Sequence, residues 1–153
     1  MILTIDIGNT NITFGVFDGD KLSFVSRLAT ERNRTDDQFA VEFLAVFKMH
    51  DLEPAEITGA VLSSVVPELT GKIKTAVNKV CGIEPVIIAP GVKTGLNILI
   101  DNPAELGADL VAGAVGAMAR YEMPAFVIDL GTATKIYAVD EHGGYHGGTI
   151  APG

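Results

Sequence analysis

The sequence predicts an α/β protein built from two copies of one sheet-forming motif, the first complete and the second partial. Three observations predict it. An apolar strand ending in Ile5-Asp6-Ile7-Gly8-Asn9-Thr10 returns as Ile128-Asp129-Leu130-Gly131-Thr132-Ala133. Each copy is followed by a strand, an Asp-containing turn and another strand, and this agreement at matched places marks an internal repeat. Between the copies, short apolar runs alternate with segments whose apolar residues recur at helical spacing, the pattern of an α/β domain.

The elements follow in order. Met1–Asp6 is predicted as a buried strand, Asn11–Phe17 as a second and Lys21–Ala29 as a third, with Asp18-Gly19-Asp20 as the hairpin turn. Thr35–His50 has apolar residues at helical spacing, Thr35 as N-cap and two Asp in the first turn, where the helix dipole favours them. Ala60–Val65 is a short strand, Pro67–Val80 a helix ending at Gly82, and Pro85–Ala89 a strand, so the first copy runs βββαβαβ. Pro103–Tyr121 is an Ala-rich helix opening on a Pro, and its internal glycines imply close packing or a ligand approach. Ala125–Asp129, Thr134–Val139 and Tyr145–Ala151 are the strands of the second copy. The chain therefore divides into a first domain over 1–100 and the start of a second over 101–153. The second copy stops before the helix-strand-helix that completes the first, so a sheet face and edge are expected to lie uncovered. A truncated chain, or one needing another subunit for cover, is the expectation.

With 48% hydrophobic and 20% charged residues, a packed core is within reach and disorder is not. The net charge of −8 repels a phosphate backbone and excludes nucleic acid as a partner. A nucleotide site here must then rely on backbone donors and a metal ion. Cys81 stands alone and forms no internal disulfide, and no apolar run approaches the ~18–20 residues that span a bilayer, so the cytoplasm is the expected compartment and no membrane the expected partner.

The repeated loop has a mechanical use. Gly8 and Gly131 let the backbone approach a phosphate, while nearby N–H groups and the side chains of Asn9, Thr10, Thr132 and Thr134 donate to its oxygens. Asp6 and Asp129 can hold a cation, directly or through water. Facing each other, two such hairpins would hold the phosphates of a nucleotide from both sides. Neither the Lys-containing phosphate loop nor the dinucleotide glycine fingerprint is present. His50, His142 and His146 lack zinc-ligand spacing with Cys81. A second constellation, Gly107-Ala108-Asp109, opens the Ala-rich helix; Asp109 is a candidate general base for a substrate hydroxyl.

These residues together resemble the type III pantothenate kinases, members of the acetate kinase, sugar kinase, Hsp70 and actin superfamily. Asp6-Ile7-Gly8-Asn9-Thr10-Asn11 is similar to that family's first phosphate motif, Ser63-Ser64-Val65-Val66-Pro67 to an internal segment, Gly107-Ala108-Asp109 to its substrate motif, Asp129-Leu130-Gly131-Thr132-Ala133-Thr134 to its second phosphate motif, and Gly147–Gly153 to the segment after it. The resemblance implies a duplicated actin-like (ribonuclease H-like) fold and ATP-dependent phosphorylation of pantothenate to 4′-phosphopantothenate, the first step of coenzyme A synthesis, in a cytoplasmic homodimer. It implies Mg²⁺, with Asp6 holding it through water, and a monovalent cation, K⁺ or NH₄⁺, at Asp129. By position, Asp6, Ile7, Gly8, Asn9, Thr10, Asn11, Ile12 and Thr13 line the ATP phosphates with Gly131, Thr132 and Thr134. Gly107, Ala108, Asp109 and Leu110 contact pantothenate, Asp109 being the proton acceptor. The sequence departs from the pattern in Leu110, where the family usually has Arg, and in Lys135, where a second Thr is common. Because of Leu110, a non-catalytic nucleotide- or pantothenate-binding regulatory module of the same fold is the alternative.

Overall fold

Alternation of side chains along each strand sets the architecture. The computed structural model describes all 153 residues, in two compact units, Met1–Ile87 and Ile88–Gly153. The first unit contains β1 (Ile2–Ile7), β2 (Asn11–Asp18), β3 (Lys21–Ala29), α1 (Asp36–Met49), β4 (Gly59–Ser64), α2 (Pro67–Cys81) and β5 (Val86–Ile87). Its sheet runs β3-β2-β1-β4-β5, with β1 to β3 antiparallel and β4 and β5 added in parallel. Leu3, Ile5 and Ile7 alternate onto one face and are buried with Ile12, Phe14 and Val16. The two helices cover that face.

Local chemistry fixes both helices. Thr35 and Gln38 form a reciprocal capping box at the start of α1, and Phe39, Phe43 and Phe47, four apart, form its buried stripe. Phe43 meets Phe14 edge-on with ring centroids 5.2 Å apart. Each fully buried Phe or Leu stabilises the unit by ~1.5–3 kcal/mol relative to exposure. α2 starts at Pro67, buries Leu69, Ile73, Ala76 and Val77, and stops at Gly82, whose φ of 70° is the left-handed cap that glycine adopts without strain.

The second unit contains β6 (Asn97–Ile98), α3 (Ala108–Arg120), β7 (Ala125–Leu130), β8 (Ala133–Val139) and β9 (Gly144–Pro152), in a sheet ordered β6-β9-β8-β7. Its core is small: Ala114 of α3 meets Tyr137, Val139 and Tyr145, with Leu110, Met118 and Val127 at its margin. Gly113 permits this approach, because a Cβ there would lie 2.2 Å from the Tyr137 hydroxyl oxygen. Aligned on the repeat, Phe126, Ile128 and Leu130 are the counterparts of Leu3, Ile5 and Ile7. They are 78%, 59% and 78% exposed, where the first-copy trio is at most 3% exposed. The reason is the side on which α3 packs. Val127, which alternates with Phe126 and Ile128 on β7, is the strand residue packed against the cluster that holds Ala114, so α3 covers the face opposite to that covered by α1 and α2 in the first copy. β7 is also an edge strand, whereas β1 is flanked by β2 and β4. The uncovered face and edge expected from the sequence are both present.

The structure departs from the sequence reading in three places. The predicted helix over 103–121 is split: Pro103–Glu105 is a separate 3₁₀ turn, and α3 begins after Gly107. Asp109 is thereby moved from one turn inside the helix to its second residue. The strand predicted over 85–89 shortens to Val86–Ile87, and β6, in what the sequence presents as a loop, pairs in parallel with β9.

Candidate functional site

The first loop, Gly8 to Thr10, joins β1 to β2. Gly8 donates to the Asn11 carbonyl at 3.0 Å, and the Thr30 hydroxyl donates to the Gly8 carbonyl at 2.7 Å. Gly8 does not use a left-handed backbone. It is needed for room, since a Cβ would stand 3.1 Å from the Asn11 carbonyl oxygen. Ile7 and Ile12 are fully buried among the core residues, so of the candidate ATP contacts these two offer only backbone groups. Asp6 is exposed at the end of β1, and Asn9, Thr10 and Asn11 are exposed around it, with Thr13 across the hairpin from Asp6.

Two residues to which the motif reading gave no role at the site belong here. Arg32 donates through Nη2 to the Asn9 side chain at 3.2 Å, is ion-paired with Glu68, and accepts a bond from Lys72 at its carbonyl. It brings a guanidinium to the rim of the loop, which sequence spacing gave no means of locating. Ser63 is paired in register with Asp6. It is 4% exposed, and its hydroxyl has no hydrogen-bond partner. A buried orphan hydroxyl marks a place where an ordered water or ligand group belongs.

The second loop, Gly131 and Thr132, is one residue shorter. Gly131 donates to the Ala133 carbonyl at 3.2 Å, and Gly131 and Thr132 are exposed. Thr134, the second residue of β8, lies opposite Leu130, which places Lys135 opposite Asp129. Ala108, Asp109 and Leu110 are the first residues of α3, after Gly107 as N-cap. The Asp109 carboxylate accepts from the Leu110 amide at 2.9 Å, and it sits where the positive end of the helix dipole favours a negative charge.

Lys135 draws two of the predicted residues together. Its ammonium donates to Asp109 Oδ2 at 2.7 Å and to Asp129 Oδ2 at 2.9 Å. The side chains of Lys135 and Asp109 are 21% and 19% exposed, that of Asp129 50%. Burial alone would push the Lys135 ammonium down, but hydrogen bonds and charge from both carboxylates outweigh it and hold it above the usual lysine range. The phenol of neighbouring Tyr137 is pushed up to about 12, chiefly by burial and then by the Asp129 charge. Leu110 joins an apolar wall with Ile100, Leu106 and Ile136 along a groove of about 270 Å³ that Glu105 and Thr149 also line. The position expected to carry a cation is therefore apolar in character.

The sequence matches the type III pantothenate kinase family over residues 2–153. It is 45% identical over 153 residues to the type III pantothenate kinases of Listeria welshimeri and Listeria monocytogenes. The alignments take in all of this chain and 59% of each relative, so the chain spans less than two thirds of the curated relatives it matches. Among solved structures it is similar to a ROK hexokinase from Thermus thermophilus (TM-score 0.51, 14% identity, 92% of this chain and 47% of that one). It is also similar to the type II variant of the Ppx/GppA phosphatase from Aquifex aeolicus (TM-score 0.51, 13% identity, 99% and 51%). At such identity these likenesses speak for the fold alone, which is the duplicated actin-like (ribonuclease H-like) α/β fold, complete in the first copy and partial in the second. With that fold, both phosphate motifs and a family match from residue 2 to residue 153, the chain belongs to the type III pantothenate kinase family.

Proposed function

We propose that this chain carries phosphate-binding and acceptor-activating residues of an ATP-dependent pantothenate kinase that forms 4′-phosphopantothenate, the entry step to coenzyme A. The observation that supports it most is Asp109. Its carboxylate is sheltered, held at a helix N-terminus and fixed by Lys135, yet each oxygen retains a lone pair for a substrate hydroxyl.

In the reaction, the acceptor hydroxyl of pantothenate bonds to the γ-phosphorus as its proton passes to Asp109. The bond from that phosphorus to the β–γ bridging oxygen breaks, and its electron pair leaves with ADP. Each unit offers a phosphate-binding loop of its own, Gly8 to Thr10 in the first and Gly131 and Thr132 in the second, whose backbone N–H groups, with Thr10, Thr132 and Thr134, suit phosphate oxygens. Asp6 fits a hydrated Mg²⁺, an ion that keeps several waters and takes only one or two carboxylates, and the orphan hydroxyl of Ser63 next to it in register suits a metal-bound water. The ion supplies neutralisation of phosphate charge. The apolar wall of Leu110, Leu106 and Ile100 suits the gem-dimethyl carbon of pantothenate. The family resemblance extends the proposal to a cytoplasmic homodimer.

A coupled assay of ADP release with pantothenate, run on the full-length protein, tests this reading. Asp109→Asn is expected to lower kcat by about 10²–10⁴-fold, the usual contribution of a positioned base. Undiminished turnover in that variant would refute the assigned base. Calorimetric binding of ATP or pantothenate without turnover in the unaltered full-length protein would support the regulatory module instead, the reading favoured by Leu110.

A further inference from the structure

Lys135 takes no part in the phosphate loops and transfers no proton in the proposed reaction, yet its placement is specific. The first copy pairs Thr13 with Asp6 across its hairpin, whereas the second pairs Lys135 with Asp129. An ammonium thus stands where the duplicate has a hydroxyl. Residues directly opposite in a hairpin have Cβ atoms only ~4.5–5.5 Å apart, so a long side chain there must reach beyond its partner. Lys135 does so, bonding Asp129 of β7 at 2.9 Å and Asp109 of α3 at 2.7 Å. Two carboxylates converging on one point repel unless a cation sits between them, and here that cation is covalently attached to the strand.

A free ion beside Asp129 fits this arrangement poorly. Asp129 Oδ2 is already engaged by the ammonium, and an added cation would face that like charge at short range. No group of three or more His, Cys, Asp or Glu residues gathers to complete a coordination shell. The lysine head is, chemically, a singly alkylated NH₄⁺, with the same charge and three of its four N–H donors. We propose that Lys135 is the built-in cation of this site, taking the place beside Asp129 that the family resemblance gives to K⁺ or NH₄⁺ and making the chain independent of a free monovalent ion. Its consequence for turnover rests on the kinase reading above; the binding claim rests on the geometry alone.

Thermal melts and thallium(I) NMR on this chain, in K⁺, NH₄⁺ or bulky tetramethylammonium salt, test the claim without turnover. The unaltered chain is expected to show no saturable ion binding and no selective stabilisation. Lys135→Thr is expected to gain a saturable rise in Tm with K⁺ or NH₄⁺, roughly 2–5 °C, that the double variant Lys135→Thr/Asp129→Asn lacks. Saturable thallium binding to the unaltered chain that Asp129→Asn abolishes would overturn the proposal, as would a folded Lys135→Thr indifferent to every cation. Should Lys135→Thr fail to fold, the titration of the unaltered chain decides alone. In the full-length enzyme, the wild-type rate should survive replacement of K⁺ by tetramethylammonium, and the Lys135→Thr rate should fall and be rescued by NH₄⁺, which a merely structural lysine would not produce. Absence of phosphorylation in any salt would count against the kinase reading while leaving the ion-binding result to stand.

Discussion

Truncating Ile5 and Ile128 to alanine compares one position of the repeat in its two settings. Ile5 is 3% exposed beneath the helices and Ile128 is 59% exposed on an uncovered face. Both substitutions lose the same methyl groups and the same strand propensity, the latter worth at most ~1 kcal/mol. Ile5→Ala also loses buried area and leaves a cavity, a change that costs about 2–5 kcal/mol in packed cores. Ile128→Ala removes surface that water already reaches and is expected to stay within about 1 kcal/mol. With urea slopes of ~1–3 kcal/mol per molar, a 3 kcal/mol loss moves the midpoint of the affected transition by roughly 1–3 M. Urea unfolding followed by far-ultraviolet circular dichroism reads both shifts, each against the same transition of the unaltered chain. If Ile128→Ala shifts its transition as far as Ile5→Ala does, the assignment of opposite faces to α1/α2 and α3 is wrong.

Further outcomes follow from individual contacts. Gly113→Ala, which drives a Cβ into the Tyr137 hydroxyl, should destabilise α3 packing by about 1–3 kcal/mol, whereas Gly116→Ala, with nothing within 4 Å, should stabilise by up to ~1 kcal/mol; thermal melts of the pair separate steric from propensity effects. Asp140 clamps the β8–β9 turn by accepting from His146 at 2.6 Å and from the Gly144 and His142 amides at 2.7 and 2.8 Å, bonds that hold its carboxyl at about 2. A depressed carboxyl stabilises above its ordinary 3.8, and that contribution is lost as the pH falls towards 2, so the advantage of the wild type over Asp140→Asn should be full at neutral pH and fade across that window in acid unfolding curves. Burial pushes the Cys81 thiol up to about 11, so in the native chain its alkylation should lag behind that of a free thiol at mildly alkaline pH and catch up on unfolding.

Much of the fold was legible because it is carried by short-range signals. The Asp18-Gly19-Asp20 turn, the Thr35 cap and the Gly82 stop are local statements, and all three hold, with Gly19 at φ 57°. The helix over 103–121 misled because Pro103 and Ala104 are good helix-starting residues. The competing signal was Gly107, after which the true helix begins. β6 is two residues long and exists only through its pairing with β9, which no window around Asn97 reveals. At the site, the motifs gave the identity of Asp6, Asp109 and Asp129 but not their company. Lys135 stood out in sequence as an unusual residue, and only the register of β7 and β8 turns it into the partner of two carboxylates. Arg32 lies 23 positions from Asn9, a separation that conceals their contact.

The edge position of β7 gives Asp129 a second duty. The segment Ala125-Phe126-Val127-Ile128-Asp129-Leu130 is rich in strand-forming apolar residues, and its outer backbone groups are not taken up by a neighbouring strand. Such an edge is a template for pairing with another chain, and natural sequences guard it with a charge. Asp129 is the only ionised residue in the strand, which makes it a gatekeeper against cross-β assembly as well as a member of the site. Replacing it to probe chemistry therefore also removes a solubility device, and self-association in an Asp129 variant reports on the strand edge before it reports on the reaction.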